Sequence, residues 1–385
     1  MDVLEDGGHC VVSQPRPFTI EWSDAAIVDL RQRLAATRWP ERETVDDWSQ
    51  GVPLSYQREM CEYWAEGYDF ADAQARLNRF PQFRHEVDGL GIHFLHQPSR
   101  HADAIPLVLT HGWPGTFVEF LDVVDALADP DDLTDAFHVV VPSLPGYAYS
   151  DKPTAPGWNV PRIARAWDTL MRELGYERYG AQGGDWGAMV TTSIGQQCAS
   201  HVTGIHVNMP LVNFGACDMT DLTEHETTAL ARVGEHAEWG MGYSAEQSTR
   251  PQTLGYGLTD SPAGQCAWIL EKFWAWTDHD GHPEQALTKD QMLDNISLYW
   301  FTASAASSAR LYWESFKHVD MEPVTCPSGV SSFPAEILGV SERWARTRFT
   351  DLRWYGAPPR GGHFAAFEQP EVFVDEVRGF FRTVR

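Results

Sequence analysis

Short runs of consecutive apolar residues alternate with longer amphipathic stretches through the middle of the chain. The runs GIHFLH, PLVLTH, FHVVVP, RYGAQ and TGIHVNMP have the length and composition of buried strands. The stretches between them carry apolar residues at helical spacing: FVEFLDVVDALA, PRIARAWDTLMRELG and GAMVTTSIGQQC. Strands that alternate with helices favour a mostly parallel sheet with helices on its faces, so the sequence predicts an α/β protein.

The pattern changes on both sides of this region. Residues 17 to about 90 are rich in tryptophan and helical in pattern, and the stretch DAAIVDLRQRLAATRW places Ile27, Leu30, Leu34 and Trp39 near one face. Residues 213–319 contain helical, aromatic stretches such as AWILEKFWAWTD. We therefore predict an N-terminal segment (1–89) that packs on a core (90–212 and 320–385), and a helical lid inserted at 213–319.

Composition and charge exclude several classes of function. Hydrophobic residues make up 43% of the chain and charged residues 22%, as in ordinary globular proteins. The formal net charge of −25 repels nucleic acid and anionic membrane surfaces. The start MDVLEDGGHC lacks the features of a secretion signal, and nowhere do 18 apolar residues run together. We expect no nucleic-acid or membrane partner; a homodimer is compatible with these features.

The cysteines indicate the compartment. Six of them stand singly in the chain, without the spacing of a metal site: Cys10, Cys61, Cys198, Cys217, Cys266 and Cys326. Isolated cysteines in a long chain are typical of free thiols in a reducing cytoplasm. We therefore expect a cytoplasmic protein without a structural zinc site.

The motif Gly183-Gly184-Asp185-Trp186-Gly187 lies between a predicted strand and a predicted helix. Glycines around a central residue in such a tight turn are typical of a nucleophile elbow, which exposes the central side chain at the carboxyl end of the sheet. A carboxylate there forms an ester with sp³ carbon that water can cleave, whereas a serine would form a stable ether. The alternative is an aspartate that only caps the helix.

Two further motifs complete a candidate site. In His111-Gly112-Trp113-Pro114-Gly115, the amide of Trp113, together with that of Trp186, is placed to stabilise an oxyanion, unless the motif is an ordinary turn. His363, in a glycine-rich loop before the last helix, is the candidate general base. Its carboxylate partner is Glu336, with Glu342 and Asp351 as competitors; the order nucleophile, acid, histidine is that of α/β-hydrolases.

Several motifs together resemble the microsomal-type epoxide hydrolase family, including its soluble bacterial members. They extend from Phe18 to about Phe381: RQRLAATRWPE, YWAEGYDF, HGWPG, GGDWG, SSFPAEI and RGGHFAAFEQP. The resemblance implies an α/β-hydrolase fold with a helical lid, and it favours Glu336 as the acid. It also implies that Tyr243 and Tyr312 donate hydrogen bonds to the epoxide oxygen. Membrane-bound relatives begin with an anchor helix, which we do not expect here.

The resemblance implies conversion of an epoxide to a vicinal diol, through an ester on Asp185 that His363 and Glu336 help to hydrolyse. Neither a metal nor an organic cofactor is needed. Aromatic lid residues suit a small apolar epoxide: Trp268, Phe273, Trp274, Trp276 and Trp300. Two alternatives stay open, a dehalogenase with the same aspartate nucleophile and a catalytically silent ligand-binding protein. The sequence selects neither a substrate, nor a stereochemical preference, nor a role in detoxification or natural-product synthesis.

Overall fold

A nine-stranded sheet forms the centre of the molecule. The structure, a computed structural model, describes residues 14–385. The strands are β1 (Arg16–Phe18), β2 (Gln82–Val87), β3 (Leu90–Gln97), β4 (Ile105–Thr110), β5 (Phe137–Pro142), β6 (Tyr179–Gly183), β7 (Val202–Val207), β8 (Ser328–Ser331) and β9 (Leu352–Gly356). Their order across the sheet is β1-β2-β3-β5-β4-β6-β7-β8-β9.

The sheet is antiparallel at one edge and parallel elsewhere. β1, β2, β3 and β5 pair antiparallel, and every pair from β5 through β9 is parallel. The central strands are apolar on both faces because helices cover both sides, as the buried run Leu107, Val108 and Leu109 shows. The predicted α/β fold class with a mostly parallel sheet is confirmed.

Fifteen α-helices lie within residues 14–385. Those before the lid are α1 (Asp24–Ala35), α2 (Leu54–Glu62), α3 (Phe70–Leu77), α4 (Val124–Ala128), α5 (Val160–Glu173) and α6 (Trp186–Gln197). The lid region contains α7 (Glu224–Glu235), α8 (Gly242–Thr249), α9 (Pro251–Asp260), α10 (Pro262–Trp276), α11 (Lys289–Phe301) and α12 (Ala305–Ser315). The last are α13 (Glu342–Ala345), α14 (Ala365–Glu368) and α15 (Pro370–Phe381).

The N-terminal segment differs in part from its helical prediction. It contains α1 to α3, but β1 and β2 also extend the core sheet, with Phe83 opposite Phe94. Helix α1 ends at Ala35, so Trp39 lies beyond it and only Leu30 and Leu34 are buried on its inner face. The stretch 117–128 was expected to be helical throughout, yet it divides into a 3₁₀ turn (Phe117–Phe120) and the short α4.

Two findings concern membrane-spanning helices and the pairing of cysteines. None of the helices in residues 14–385 is both long and apolar enough to cross a membrane. The five cysteines within these residues are unpaired: Cys61, Cys198, Cys217, Cys266 and Cys326. The expectations for the start MDVLEDGGHC and for Cys10 concern residues 1–13, which lie outside the described residues.

Candidate active site

The sequence motifs meet at one edge of the parallel sheet. HGWPG follows β4, GGDWG follows β6, Glu336 lies beyond β8, and His363 lies beyond β9. Because parallel strands end at the same edge, loops that are distant in sequence are brought together there. This edge is therefore the candidate active site.

Asp185 occupies the sharp turn between β6 and α6. Its φ of 50° and ψ of −128° lie in a region that non-glycine residues rarely adopt, which indicates backbone strain at this position. Gly187 permits the turn, because a Cβ atom there would overlap the carbonyl oxygen of Thr110 on β4. The Asp185 side chain is 13% exposed. The turn thus presents a nearly buried carboxylate at the end of the sheet.

One backbone amide of the HGWPG loop contacts this carboxylate. The Trp113 N–H donates to Asp185 Oδ1 at 2.8 Å. His111 fixes the loop: its Nδ1–H donates to the Gly112 carbonyl oxygen (2.9 Å) and its Nε2 accepts from the Leu144 N–H (3.1 Å). Burial lowers the pKa of His111 to about 4, so this imidazole stays neutral. The Trp186 N–H, at the start of α6, makes no hydrogen bond to Asp185 within the described residues.

His363 lies between two carboxylates. Its Nδ1 is 2.9 Å from Glu336 Oε1, and its Nε2 is 3.3 Å from Asp185 Oδ2, where the alignment falls short of a hydrogen bond. The His363 and Glu336 side chains are 1% and 0% exposed. Burial lowers the pKa of His363, but the charges of Glu336 and Asp185 outweigh it and hold this pKa well above the ordinary value.

The competing acids lie elsewhere. Glu342 pairs with Arg346 at 2.7 Å, and Asp351 pairs with Arg353 at 2.8 Å. Both are solvent-accessible salt bridges, whereas Glu336 contacts the imidazole directly. The geometry therefore favours Glu336 as the partner of His363.

A buried glutamate that sequence reasoning missed shapes the histidine loop. The Glu368 carboxylate accepts hydrogen bonds from the amides of Gly362 (3.1 Å), Phe364 (3.0 Å) and Asp278 (2.7 Å). Burial raises the pKa of Glu368 to about 7, although the hydrogen bonds from the Asp278 and Phe364 amides lower it. The only signal in the sequence is a lone acid within the apolar stretch HFAAFEQP. Glu368 positions His363 by fixing the backbone on both sides of it.

The predicted lid (213–319) forms hydrogen bonds to both candidate catalytic loops. The His363 N–H donates to the carbonyl oxygen of Trp276 (2.9 Å) at the end of α10. On α11, the Asn295 amide donates to the Pro114 carbonyl oxygen (2.8 Å), and the Tyr299 hydroxyl donates to that of Gly115 (3.0 Å). The lid thus helps to hold the HGWPG loop and the histidine loop in place.

Tyr243 and Tyr312 are buried beside the HGWPG loop. The Tyr243 ring stacks on Trp113 at 4.9 Å, and the Tyr312 ring lies edge-on to Trp186 at 4.8 Å. The Tyr312 hydroxyl has no hydrogen-bond partner among the described residues. Burial is the main cause that raises the pKa of both phenols far above the usual value, and the Asp185 charge adds to it. Both therefore remain neutral donors at physiological pH.

Of the aromatic lid residues predicted to suit an apolar substrate, Trp276 contacts the site. Its ring packs on His363 (5.0 Å) and Tyr243 (5.2 Å). Trp274 instead stacks on Trp48 in the N-terminal segment, and Phe273 packs on Phe364. A second residue missed from sequence is the buried Lys272, whose Nζ lies 4.4 Å from the centre of the Tyr243 ring.

Comparisons with known proteins agree with this architecture. Residues 15–120 match the family described as epoxide hydrolase N terminus, and residues 105–261 match the α/β hydrolase fold. A candidate epoxide hydrolase of Stigmatella aurantiaca (strain DW4/3-1) is 53% identical, over 96% of this chain and 85% of its own. Epoxide hydrolase 1 of Oryctolagus cuniculus is 36% identical, over 98% of this chain and 92% of its own.

The structural comparison extends to the whole chain. The crystal structure of juvenile hormone epoxide hydrolase from Bombyx mori has a TM-score of 0.90 and 33% identity, covering 97% of this chain and 95% of that one. The similarity covers nearly the whole chain, and these relatives are named epoxide hydrolases. With its sequence relatives and its fold in agreement, the chain belongs to the epoxide hydrolase family of α/β-hydrolases.

Proposed function

We propose that the protein hydrolyses a small apolar epoxide to a vicinal diol in two steps, through an ester on Asp185. The observation that supports this most directly is a carboxylate at the strained elbow, next to two buried neutral phenols and a His363–Glu336 pair. A carboxylate can attack sp³ carbon, and the phenols can hydrogen-bond the oxygen that departs. Formation of diol from styrene oxide by the purified protein tests the proposal.

In the first step, Asp185 attacks an epoxide carbon. Oδ1 already accepts a hydrogen bond from Trp113, which leaves Oδ2 as the attacking atom. As the C–O bond of the ring breaks, negative charge develops on the epoxide oxygen, and Tyr243 and Tyr312 donate to it. This assistance is needed because an alkoxide is a poor leaving group unless it is protonated or strongly hydrogen-bonded.

In the second step, water attacks the carbonyl carbon of the ester. His363 takes a proton from this water, Glu336 stabilises the imidazolium, and the amides of Trp113 and Trp186 receive the oxyanion. Alkylation prepares the base, because it neutralises Asp185 and removes one of the two charges that raise the pKa of His363. The imidazole therefore becomes a better proton acceptor in the ester than in the free enzyme.

Removal of both phenol hydroxyls separates epoxide hydrolysis from dehalogenation. We expect the double variant Tyr243→Phe, Tyr312→Phe to open styrene oxide at least about 100-fold more slowly, since it lacks both donors to the epoxide oxygen. Stopped-flow measurement of ester formation checks this. Tyr256→Phe is the matched control, because Tyr256 is 71% exposed on the lid. Undiminished turnover together with release of halide from haloalkanes would favour the dehalogenase alternative.

The charge of Glu336 determines the pH at which the ester is hydrolysed. Since Glu336 raises the pKa of His363, Glu336→Gln is expected to move the acid limb of the pH–rate profile to lower pH. The rate on the plateau falls by about 100- to 10,000-fold, because an amide can hold the wrong tautomer of the imidazole. The measurement is single-turnover ester hydrolysis against pH, with Glu342→Gln as control. If the pH–rate profile is not shifted and the plateau rate equals that of the parent, Glu336 is not the carboxylate partner of His363.

A catalytically silent binding protein is the alternative of another class. The strained elbow and the buried His363–Glu336 pair favour an enzyme, because both features cost stability and neither is needed to bind an apolar molecule. A protein that binds styrene oxide without forming any diol would support the binding alternative.

A further inference from the structure

A small cavity adjoins the nucleophile and the general base. Its volume is about 10 Å³, and its polar lining comes from Asp185, His363, Glu119 and Asn208. Phenylalanine side chains supply much of the remaining wall: Phe120, Phe364 and Phe373. A cavity of this size can hold about one water molecule, provided that two to four polar groups face it. Both requirements are met here.

Glu119 is one of two polar residues in this wall, the other being Asn208, for which the two-step scheme has no use. It lies in the 3₁₀ turn that follows the HGWPG loop, and its carboxyl group folds back over Gly115, where a Cβ atom would overlap Oε1. Within residues 14–385, no hydrogen-bond donor contacts this carboxyl group. A carboxyl group without a protein partner is costly in the interior, so a water molecule is its natural partner.

The surroundings of Glu119 favour its neutral form. Burial raises its pKa to about 8; the charges of Asp185 and Glu368 add to the rise, and His363 opposes it. Tyr299 is a further titratable neighbour, and its own pKa is raised well above the ordinary value, chiefly by burial. At neutral pH the carboxyl group therefore adds little negative charge beside the nucleophile. Its carbonyl oxygen can accept a hydrogen bond in either protonation state.

Three polar groups of the wall can hydrogen-bond an attacking water molecule: two accept its protons and one donates to its oxygen. His363 Nε2 has no hydrogen bond among the described residues, and it can accept one proton of the water. Glu119 can accept the other. The Asn208 side-chain oxygen accepts from Gln182 (2.9 Å), and its NH₂ group, which has no acceptor among residues 14–385, can donate to one lone pair of the water. The second lone pair then remains for the carbonyl carbon of the Asp185 ester.

We propose that Glu119 binds and orients the water molecule that hydrolyses the Asp185 ester. The inference rests on the proposed function and assigns this carboxyl group to its second step. The water oxygen forms a bond to Cγ of Asp185, and its proton passes to His363. The bond between Cγ and the product oxygen then breaks, and that oxygen takes the proton from His363. Glu119 accepts a hydrogen bond throughout and neither gains nor loses a proton.

Kinetics of the two steps test this role. The variants are Glu119→Ala, which removes the acceptor, and Glu119→Gln, which keeps a carbonyl oxygen and nearly the same shape. Asp122→Asn is the matched control, because Asp122 is exposed in the same segment. Styrene oxide is mixed with excess enzyme, the ester is followed by intact-protein mass spectrometry, and thermal unfolding confirms that each variant is folded.

We expect Glu119→Ala to form the ester within about twofold of the parent rate and to hydrolyse it about 10- to 100-fold more slowly, since the water is no longer held in line. In steady state, kcat and KM then fall together while kcat/KM is unchanged. Glu119→Gln loses less than Glu119→Ala, and Asp122→Asn behaves like the parent. If Glu119→Ala slows hydrolysis of the ester but not its formation, a role in packing does not explain the result.

Two results would overturn the inference. One is hydrolysis of the ester at the parent rate in Glu119→Ala; the other is an equal slowing of ester formation and hydrolysis in both Glu119 variants, which indicates a structural role. Failure of the proposed function looks different, because the parent protein itself would then form no ester on Asp185.

Discussion

Replacement of Asp185 by asparagine is expected to reduce diol formation by at least about 10,000-fold, because an amide cannot form the ester through which both proposed steps proceed. The measurement is diol formation from styrene oxide under saturating conditions. Asp221→Asn is a suitable control: Asp221 also has a positive φ (47°), but it is exposed and lies outside the site. The control separates loss of the nucleophile from any effect of asparagine in a left-handed backbone conformation.

Isotope labelling identifies the atom that attacks. In a single turnover in ¹⁸O-water, the label is expected in the carboxylate of Asp185 and not in the diol, since in the proposed mechanism water attacks the ester carbonyl and the diol takes its new oxygen from Asp185. Mass spectrometry of the peptide that contains residues 179–197 gives the answer. Label that enters the diol directly, with an unlabelled peptide, would show that water opens the epoxide without a covalent intermediate.

His363→Gln is expected to stop the cycle after the first step. The Asp185 carboxylate and the two phenols remain, so the ester forms, but no base activates water and hydrolysis slows by about 10,000-fold. The protein should therefore accumulate one covalent adduct per chain, visible as a stable increase in intact mass. A His363→Gln protein that forms diol at the parent rate would exclude His363 as the base.

A histidine far from the site provides the comparison. His138 lies near the beginning of β5, at the opposite edge of the parallel strands, and its Nδ1 accepts from the Ser99 N–H. His138→Gln therefore tests whether loss of any partly buried imidazole slows turnover. We expect this variant to form diol normally and to accumulate no adduct.

The central strands could be predicted because the signal for each one lies in a short, local stretch of sequence. Each strand from β3 to β7 is a short apolar run, and buried parallel strands need little else. The N-terminal strands were missed because Gln82–Val87 has only two apolar residues, Phe83 and Val87, and Arg16–Phe18 is only three residues long. Their strand conformation comes from pairing with β3 and with each other, which no local pattern encodes.

The site could be predicted where the backbone constrains the residue type. Glycines around Asp185 and beside His363 indicate tight loops, so these positions stand out in the sequence, whereas Tyr243 and Tyr312 were identified only through resemblance to a family. Glu119 and Glu368 gave no such signal. What distinguishes them is burial and the groups that face them, and these arise from contacts between loops that are far apart in the chain.

The hydrogen bonds from the lid to the two loops limit how this enzyme can be engineered. A chimera that exchanges residues 213–319 for the lid of a relative would replace the acceptor of the His363 amide, the donor to Pro114 and the donor to Gly115 in one operation. An exchange of the predicted lid would therefore change the support of both candidate catalytic loops as well as the substrate contacts. Point changes that leave Trp276, Asn295 and Tyr299 in place are the safer route to a new substrate range.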